Sequence, residues 1–282
     1  MKIALFIGES SSINTINLLI KNKIKISYVF SIDKKYRKKI KIVCKKNNIF
    51  FSSNMSKKIE VLTKKTDYIF SIFSRYIIPK KILNLVKINS FNVHPGLLPH
   101  YPGTNSVAGE IYNNESNSAI SIHQMTSKID AGNIYYIKKI SIKKNDLAID
   151  VWLRIHTKLN LVISEFIKKL QKKNLFPKKN EVLKKKIFPK FIPNNGFLSK
   201  NDKTVNIFRA YRAGYLFPHT SSWGNLKFKY QKKLFIVTDL KKIKKIYKNF
   251  FIKKLCKTDE FIINTNTNTF KAVARKKNKN DL

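Results

Sequence analysis

The chain has 282 residues, of which 58 are Lys or Arg and 16 are Asp or Glu, so its formal net charge is +42. Hydrophobic residues make up 43% and aromatic residues 12% of the chain. That content is enough to bury a core, which excludes an intrinsically disordered basic tail. Eight Gly and eight Pro also exclude a collagenous or low-complexity protein, so we expect one large domain or two smaller ones.

The positive charge would suit a polyanionic partner, because Lys and Arg release counterions when they neutralise phosphates. However, 52 of the basic residues are Lys and only 6 are Arg. Planar, bidentate recognition of phosphates and bases is Arg chemistry. Because Lys occurs together with abundant Ile and Asn along the whole chain, the pattern favours a compositional bias over a selected binding surface.

The cysteines and the N-terminus indicate the compartment. Cys44 and Cys256 are far apart in the sequence, so they form neither a disulfide framework nor a zinc site. The N-terminal apolar run is interrupted at Gly8 and is too short for a signal peptide. No window approaches the roughly 18 consecutive apolar residues of a transmembrane helix. We therefore expect a cytoplasmic protein with no membrane partner, as a monomer or weak dimer.

Short apolar runs alternate with amphipathic stretches over the first half of the chain. The pattern predicts strands at 2–7, 24–31, 49–52, 68–73 and 90–94, and helices at 12–21, 35–47, 57–64 and 79–86. Strands that alternate with helices form a doubly wound, mostly parallel sheet, in which ligands bind beyond the carboxyl ends of the strands. The fold class is therefore α/β and Rossmann-like.

The second half of the chain changes in character after a long amphipathic helix at 150–169. Before that helix the pattern predicts a helix at 106–113 and a strand at 118–124. After it, a helix is predicted at 205–213 and strands at 226–230, 234–238, 261–264 and 269–273. We expect a main domain over 1–170, a linker over 171–200 and a small β-rich C-terminal domain over 201–282.

Three polar residues stand out as candidates for chemistry. Asn92 and His94 are two positions apart on a predicted strand, so their side chains share a face near its carboxyl end. With Asp130, an amide, an imidazole and a carboxylate provide the groups for proton transfer and oxyanion stabilisation. A structural histidine and an ordinary turn-forming aspartate are the alternative interpretation.

The surrounding segments carry a family resemblance. FNVHPGLLPHYPG and ISIHQMTSKIDAGNIYY resemble the two signature segments of the folate-dependent formyltransferases, which include methionyl-tRNA formyltransferase and the amino-sugar N-formyltransferases. The resemblance implies that Asn92, His94 and Asp130 are catalytic. DYIFSIFSRYIIPKKIL is similar to the family's strand and helix before the catalytic strand. Folate-binding residues implied in this way are Ser74, Arg75, Tyr76, Ile77, Ile78, Gln124, Ile129 and Asp130.

The resemblance implies transfer of a formyl group from 10-formyltetrahydrofolate to a primary amine, without a metal. Asn92 and a protonated His94 would then stabilise the developing oxyanion, and Asp130 would orient His94 and help to relay a proton. NGFLSKNDKTVNIFRAYRAGYLFPHTSSWGNLKFKY is also similar to the junction at which two-domain members enter their small C-terminal domain.

Two acceptors fit this chemistry, and we expect methionyl-tRNA. Methionyl-tRNA is the commonest acceptor for two-domain members, and the basic segments KKIKKIYKNFFIKK and ARKKNKN would suit an initiator tRNA. A nucleotide-linked amino sugar is the alternative, because SIDKKYRKK and HYPGTNS replace two segments that are typical of the tRNA enzymes. A noncatalytic, nucleic-acid-binding relative is a third hypothesis, which intact Asn92, His94 and Asp130 disfavour.

Overall fold

The computed structural model describes residues 1–8, 10–181, 186, 189–199, 201–216, 219, 221–243, 250–255, 258–265 and 268–277. The helices are α1 (Ser10–Lys21), α2 (Arg37–Lys46), α3 (Lys57–Lys64), α4 (Lys80–Leu83), α5 (Ser106–Tyr112), α6 (Ala148–Gln171) and α7 (Thr204–Gly214). The strands of the first sheet are β1 (Lys2–Ile7), β2 (Lys25–Phe30), β3 (Phe51–Ser52), β4 (Tyr68–Ile72), β5 (Asn89–Pro95), β6 (Asn117–Gln124) and β7 (Ile134–Ser141).

The first sheet confirms the predicted fold class. Its strand order is β3-β2-β1-β4-β5-β6-β7, and the five strands from β3 to β5 in this order run parallel to one another. The central strands β1 and β4 are almost fully buried, which is why they appear in the sequence as unbroken apolar runs rather than as alternating patterns. The carboxyl ends of β1, β4 and β5 therefore lie along one edge of the sheet.

Adjacent residues of β4 supply the core on the two faces of this sheet. Ile69 belongs to a cluster that includes Phe6, Phe30 and Ile59 of α3. Phe70 points the other way, and its ring lies 5.8 Å from that of Phe166 on α6, centroid to centroid. The sheet thus has helices packed on both faces, as the alternation of strands and helices predicts.

Strand β5 is the last parallel strand, and its neighbour β6 runs antiparallel to it. Strand β7 follows β6 at the edge of the sheet and was missed by the sequence prediction, which assigned no element to 134–141. Its sequence IYYIKKIS is only partly buried and carries two lysines. Such a half-exposed edge strand gives a weaker apolar signal than the central strands.

A second, antiparallel sheet follows in the C-terminal part of the chain. Its strands are β8 (Lys227–Tyr230), β9 (Lys233–Ile243), β10 (Phe251–Lys254), β11 (Glu260–Asn264) and β12 (Thr269–Lys276), in the order β10-β11-β12-β9-β8. The predicted small β-rich region is therefore confirmed. Strand β10 was not predicted. Strand β9 continues five residues beyond the predicted end at 238, where Asp239, Lys241 and Lys242 interrupt the apolar pattern on which the prediction depended.

Most other predicted elements agree with the structure to within one or two residues. The helix predicted at 79–86 is shorter, since α4 covers only Lys80–Leu83 and turns follow it. Cys44 is a buried free thiol, while Cys256 lies outside the described residues, as do parts of the two basic C-terminal segments.

Contacts divide the chain into two compact units. One comprises Met1–Gly103, Ala119–Ile140 and Arg154–Lys186, and the other comprises Thr104–Ser118, Ser141–Leu153 and Ile187–Leu282. The domain boundaries expected at 170 and 200 stay a prediction. Within the described ranges, no helix has the length and apolar character needed to cross a membrane.

The packing of Phe91 on β5 leads to a prediction about stability. Phe91 on β5 is buried, and its ring centroid lies 5.1 Å from that of Phe166 and 5.1 Å from that of Tyr135. Replacing Phe91 by Ala should lower the free energy of unfolding by about 3–5 kcal/mol, because it leaves a cavity on which few side chains can collapse. Urea denaturation measures this loss.

Ile88, which precedes the same strand and is exposed, is the control. Ile88→Ala should change the free energy of unfolding by less than about 0.5 kcal/mol. Equal effects of the two substitutions would contradict the assignment of Phe91 to the core.

Candidate active site

The candidate site is built on the antiparallel pair of β5 and β6. Asn92 and His94 project from one face of β5, whereas Phe91 projects from the other into the core. Asn92 lies opposite His123 of β6 in the ladder, and His94 lies opposite Ser121. The pairing brings four polar side chains to one face of the two strands, near the end where β5 finishes at Pro95.

Asp130 reaches this face from the loop between β6 and β7. Its backbone is in the left-handed region, at a φ of 50°. Carboxylate oxygen Oδ1 lies 3.3 Å from Nδ2 of Asn92 and 3.1 Å from Nε2 of His123. Oxygen Oδ2 accepts a hydrogen bond of 2.7 Å from the backbone N–H of Gly103 and lies 3.4 Å from Nδ1 of His94. The carboxylate thus joins all the predicted catalytic residues.

The second ring nitrogen of His94 identifies its tautomer. Nε2 lies 2.8 Å from the carbonyl oxygen of Tyr101, which can only accept, so Nε2 carries a hydrogen. In the neutral ring Nδ1 then has a lone pair that faces Asp130. Their separation of 3.4 Å exceeds the roughly 2.7–2.9 Å of a charge-assisted hydrogen bond. The geometry is that of a neutral imidazole placed where it can take up a proton.

The loop that follows β5 is held against β6 by a serine. The Ser121 hydroxyl donates to the carbonyl of Gly96 at 2.6 Å and accepts from the N–H of Leu98 at 3.2 Å. The same loop supplies the Tyr101 carbonyl and the Gly103 N–H that contact His94 and Asp130. Its main chain is therefore part of the site.

His123 also belongs to the site, although the sequence suggested only a residue flanking it. Its Nδ1 donates to the carbonyl of Gln124 at 2.8 Å, and its Nε2 lies 3.1 Å from both Asn92 Nδ2 and Asp130 Oδ1. It was missed because its contacts depend on the antiparallel register of β5 and β6, which the sequence does not reveal. The available signal in the sequence was that His123 lies within a predicted strand, two residues after Ser121 and therefore on the same face.

Burial and neighbouring charges shift the pKa values of His94 and Asp130 in opposite directions. Burial lowers the pKa of His94, which is 3% exposed, and the neighbouring Asp130 carboxylate only partly offsets that effect. Burial alone would raise the pKa of Asp130, but the hydrogen bond with His123, the positive charge that either imidazole carries when it is protonated, and the Gly103 N–H together hold it well below its usual range. At neutral pH the site therefore combines an ionised carboxylate with a neutral His94.

The predicted folate-binding residues fall into two groups. Tyr76 packs its ring against Phe30, at 4.7 Å between centroids, and Ile78 is buried in the same cluster, so these two side chains support the fold. The others are accessible at least in part, with Ile77 and Ile129 at 75% and 67% exposure. This accessible group consists of Ser74, Arg75, Ile77, Gln124 and Ile129.

Gln124 and Asp130 lie together around His123, and the segment 74–78 follows β4 at the carboxyl edge of the sheet. Among the residues that the structure describes, no group of three or more His, Cys, Asp or Glu side chains could hold a metal ion.

Comparison with known proteins identifies relatives of the chain. The profile of the family described as formyl transferase matches residues 1–167. GDP-perosamine N-formyltransferase of Brucella melitensis is 34% identical over 152 residues, which cover 54% of this chain and 58% of that protein. Methionyl-tRNA formyltransferase of Mycoplasmopsis pulmonis is 32% identical over 141 residues, which cover 50% of this chain and 48% of that protein. The chain thus spans about half the length of these curated relatives.

A solved structure extends the similarity of fold to the C-terminal sheet. The N-formyltransferase from Helicobacter canadensis, in complex with folinic acid and dTDP-3-aminofucose, superposes with a TM-score of 0.73. The match covers 98% of this chain and all of the other, at 18% sequence identity. At that identity the likeness concerns the fold, including both sheets.

The lowered pKa of His94 predicts a pH dependence of stability. The unfolded chain binds a proton on this residue below a pH of about 6.5, whereas the folded chain resists binding it. The contribution of His94 is therefore present above that pH and is lost as the pH falls through the folded pKa, by at most about 1.4 kcal/mol per pH unit. Unfolding by urea should show a larger loss of stability from pH 7.5 to 5.5 in the wild type than in His94→Gln.

His219, which is exposed, provides the control, and His219→Gln should follow the wild-type pH dependence. Parallel stability curves for the wild type and His94→Gln over this range would contradict the neutral assignment of His94.

Proposed function

Because the chain belongs to the formyl transferase family, we propose that it is an N-formyltransferase that moves a formyl group from 10-formyltetrahydrofolate to a primary amine. The observation that carries the proposal is the contact of the Asp130 carboxylate with both Asn92 and His94. An amide donor, a neutral imidazole and a carboxylate in one buried cluster are the groups that acyl transfer to an amine requires.

The folate, when bound, supplies the electrophilic formyl carbon, and the residues of the chain act on the charges that develop around it. Attack by the amine places negative charge on the formyl oxygen and positive charge on the amine nitrogen. The Asn92 amide is the donor for that oxygen. Its Nδ2 already contacts His123 and Asp130, so donation to the substrate requires one of these contacts to be exchanged.

His94 receives the proton that the attacking amine loses, and it can return that proton to the folate nitrogen, which leaves as its bond to the formyl carbon breaks. The sequence suggested a His94 that is protonated from the start, whereas its lowered pKa favours the neutral form, which can act as the base. Proton uptake turns the contact between Nδ1 and Asp130 into an ion pair in a buried site, and this stabilises the imidazolium as charge separates in the transition state.

The donor set and its surroundings fit a folate. Ile77 and Ile129, from the two segments assigned to folate, are large apolar side chains that the fold leaves exposed. Packing against the faces of the folate ring systems would cover such side chains. Asp130 and the half-buried residue Gln124 add polar groups for orientation. We therefore assign the folate to the carboxyl edge of the sheet, between the residues after β4 and the loop after β6.

A nucleotide-linked amino sugar is the acceptor that we favour. The Brucella relative is named for such an acceptor and is 34% identical to this chain. Methionyl-tRNA formyltransferases usually carry a basic insertion after the second strand, but here only six residues, 31–36, separate β2 from α2. The charge distribution agrees with this choice, since residues 88–127, which hold β5, its loop and most of β6, contain neither Lys nor Arg.

Methionyl-tRNA is the second candidate acceptor. Its support is the net charge of +42 and the 32% identity to the Mycoplasmopsis enzyme. A tRNA acceptor end must approach the catalytic residues, and phosphate contacts dominate nucleic-acid affinity. Lysines that lie elsewhere on the chain would have to provide those contacts.

A direct formylation assay tests both acceptors. The protein is incubated with 10-formyltetrahydrofolate and either a panel of nucleotide-linked amino sugars or methionine-charged initiator tRNA. We expect formylation of at least one amino sugar and none of the tRNA. His94→Ala and Asn92→Ala should each lower kcat by about 100-fold or more, because each removes a group that acts in the transition state. Formylation of tRNA alone would reverse the acceptor assignment, and unchanged kcat in His94→Ala would exclude the mechanism.

Exposed Ile129 gives a separate test of folate binding. Ile129→Ser should raise the KM for 10-formyltetrahydrofolate by about tenfold with little change in kcat, because it removes apolar contact without touching the catalytic groups. Val61→Ser, at a similarly exposed position on α3, should leave both constants unchanged. An unaltered KM in Ile129→Ser would place the folate elsewhere.

A further inference from the structure

A buried asparagine outside both signature segments contacts the loop that carries Asp130. Asn180 lies after α6, in the stretch that the sequence assigned to a linker, and it is only 8% exposed. The main chain just before it is fixed, because Lys178 forms a bridge with Ile134 at the start of β7, with two backbone hydrogen bonds of 2.8 Å. Asn180 is therefore anchored beside the catalytic loop.

The Asn180 amide holds two carbonyls of that loop. Its Nδ2 donates to the carbonyl of Asp130 at 2.7 Å and to that of Gly132 at 3.0 Å. An amide nitrogen has two N–H groups, so both are used on the same short segment. The two bonds fix the peptide groups that follow Asp130 and Gly132.

The opposite side of the loop is pressed against β6. A Cβ on Gly132 would lie 2.0 Å from the carbonyl oxygen of Gln124, so the close approach requires glycine here. The backbone N–H of Gln124 also donates to the carbonyl of Asn133 at 2.9 Å. The loop is thus held between Gln124 and Asn180, and Asp130 keeps a left-handed φ that non-glycine residues adopt at a cost.

We propose that Asn180 is a positioning residue that sets the Asp130 carboxylate against His94. The inference rests on the proposed function only for its effect on the rate. Asp130 stabilises the His94 imidazolium across 3.4 Å, and Coulomb interactions in a buried site change steeply over such distances. Without the amide, two carbonyls lose their donor, the strained loop relaxes, and the carboxylate moves away from the ring.

Histidine titration by NMR tests the positioning without any substrate. The chain has five histidines, so the Cε1–H resonance of His94 can be assigned by its loss in His94→Gln. Asn180→Ala should lower the His94 pKa relative to the wild type by about half a unit or more, because the imidazolium loses part of its carboxylate partner. Asn174→Ala, at an exposed asparagine of the same segment, should leave it unchanged.

Kinetics provide the second measurement. In Asn180→Ala the kcat for the amino sugar should fall by about tenfold or more, as small misplacements of catalytic groups do, while the KM for the sugar changes less than twofold. Asn180→Asp keeps the size of the side chain but cannot donate to the carbonyls when it is ionised, so it should have the same effect if the alanine variant folds poorly. Thermal unfolding shows which variants are folded.

The outcomes separate this inference from the proposed function. A folded Asn180 variant with a lower melting temperature but a wild-type His94 titration would overturn the positioning role and leave Asn180 a structural residue. A shifted titration in a protein that formylates no acceptor would support the positioning role and contradict the proposed function.

Discussion

The candidate site depends on one buried carboxylate. Asp130 contacts Asn92, His94, His123 and the main chain of Gly103, so it connects β5, β6 and the loops that follow them. A buried charge is unfavourable unless it is paired and hydrogen-bonded, and these contacts supply what Asp130 requires. In the proposed reaction, the interactions that stabilise the carboxylate also arrange the groups that would carry out acyl transfer.

The change from parallel to antiparallel pairing explains where this carboxylate can sit. In a wholly parallel sheet the strand beside β5 would present its own carboxyl end at the same edge. Because β6 runs the other way, the chain leaves β6 at the opposite end from the loop after β5. His123 and Gln124 lie close to where β6 ends, and the loop with Asp130 folds back over β5 to meet Asn92 and His94. His94 and Asp130 are 36 positions apart in the sequence. The register of one strand pair therefore brings their side chains together.

Much of this was predictable from the sequence. The buried strands gave unbroken apolar runs, and the catalytic residues lie in segments whose resemblance to formyltransferases is specific. What the sequence could not give depends on pairing in space. The partly exposed edge strand β7 has two lysines among its apolar residues, His123 acquires its contacts only through the register of β5 and β6, and Asn180 stands in a polar stretch with no periodicity. The protonation state of His94 also required the structure, because burial, which lowers its pKa, is a property of the assembled fold.

The net charge of +42 bears mainly on the choice between the two proposed acceptors. A site that must receive a polyanion benefits from cations near its entrance, because the local field raises the rate of encounter. The segment that carries β5 and β6 has no Lys or Arg from 88 to 127, and the chemistry proposed for it depends on one carboxylate and neutral donors. The abundant lysines therefore do not follow the catalytic residues along the chain, which is the distribution that a compositional bias produces. A small acceptor needs only a few cations at its phosphates, so this distribution of lysines is compatible with a nucleotide sugar. A tRNA would need many phosphate contacts, which lysines outside this segment would have to provide.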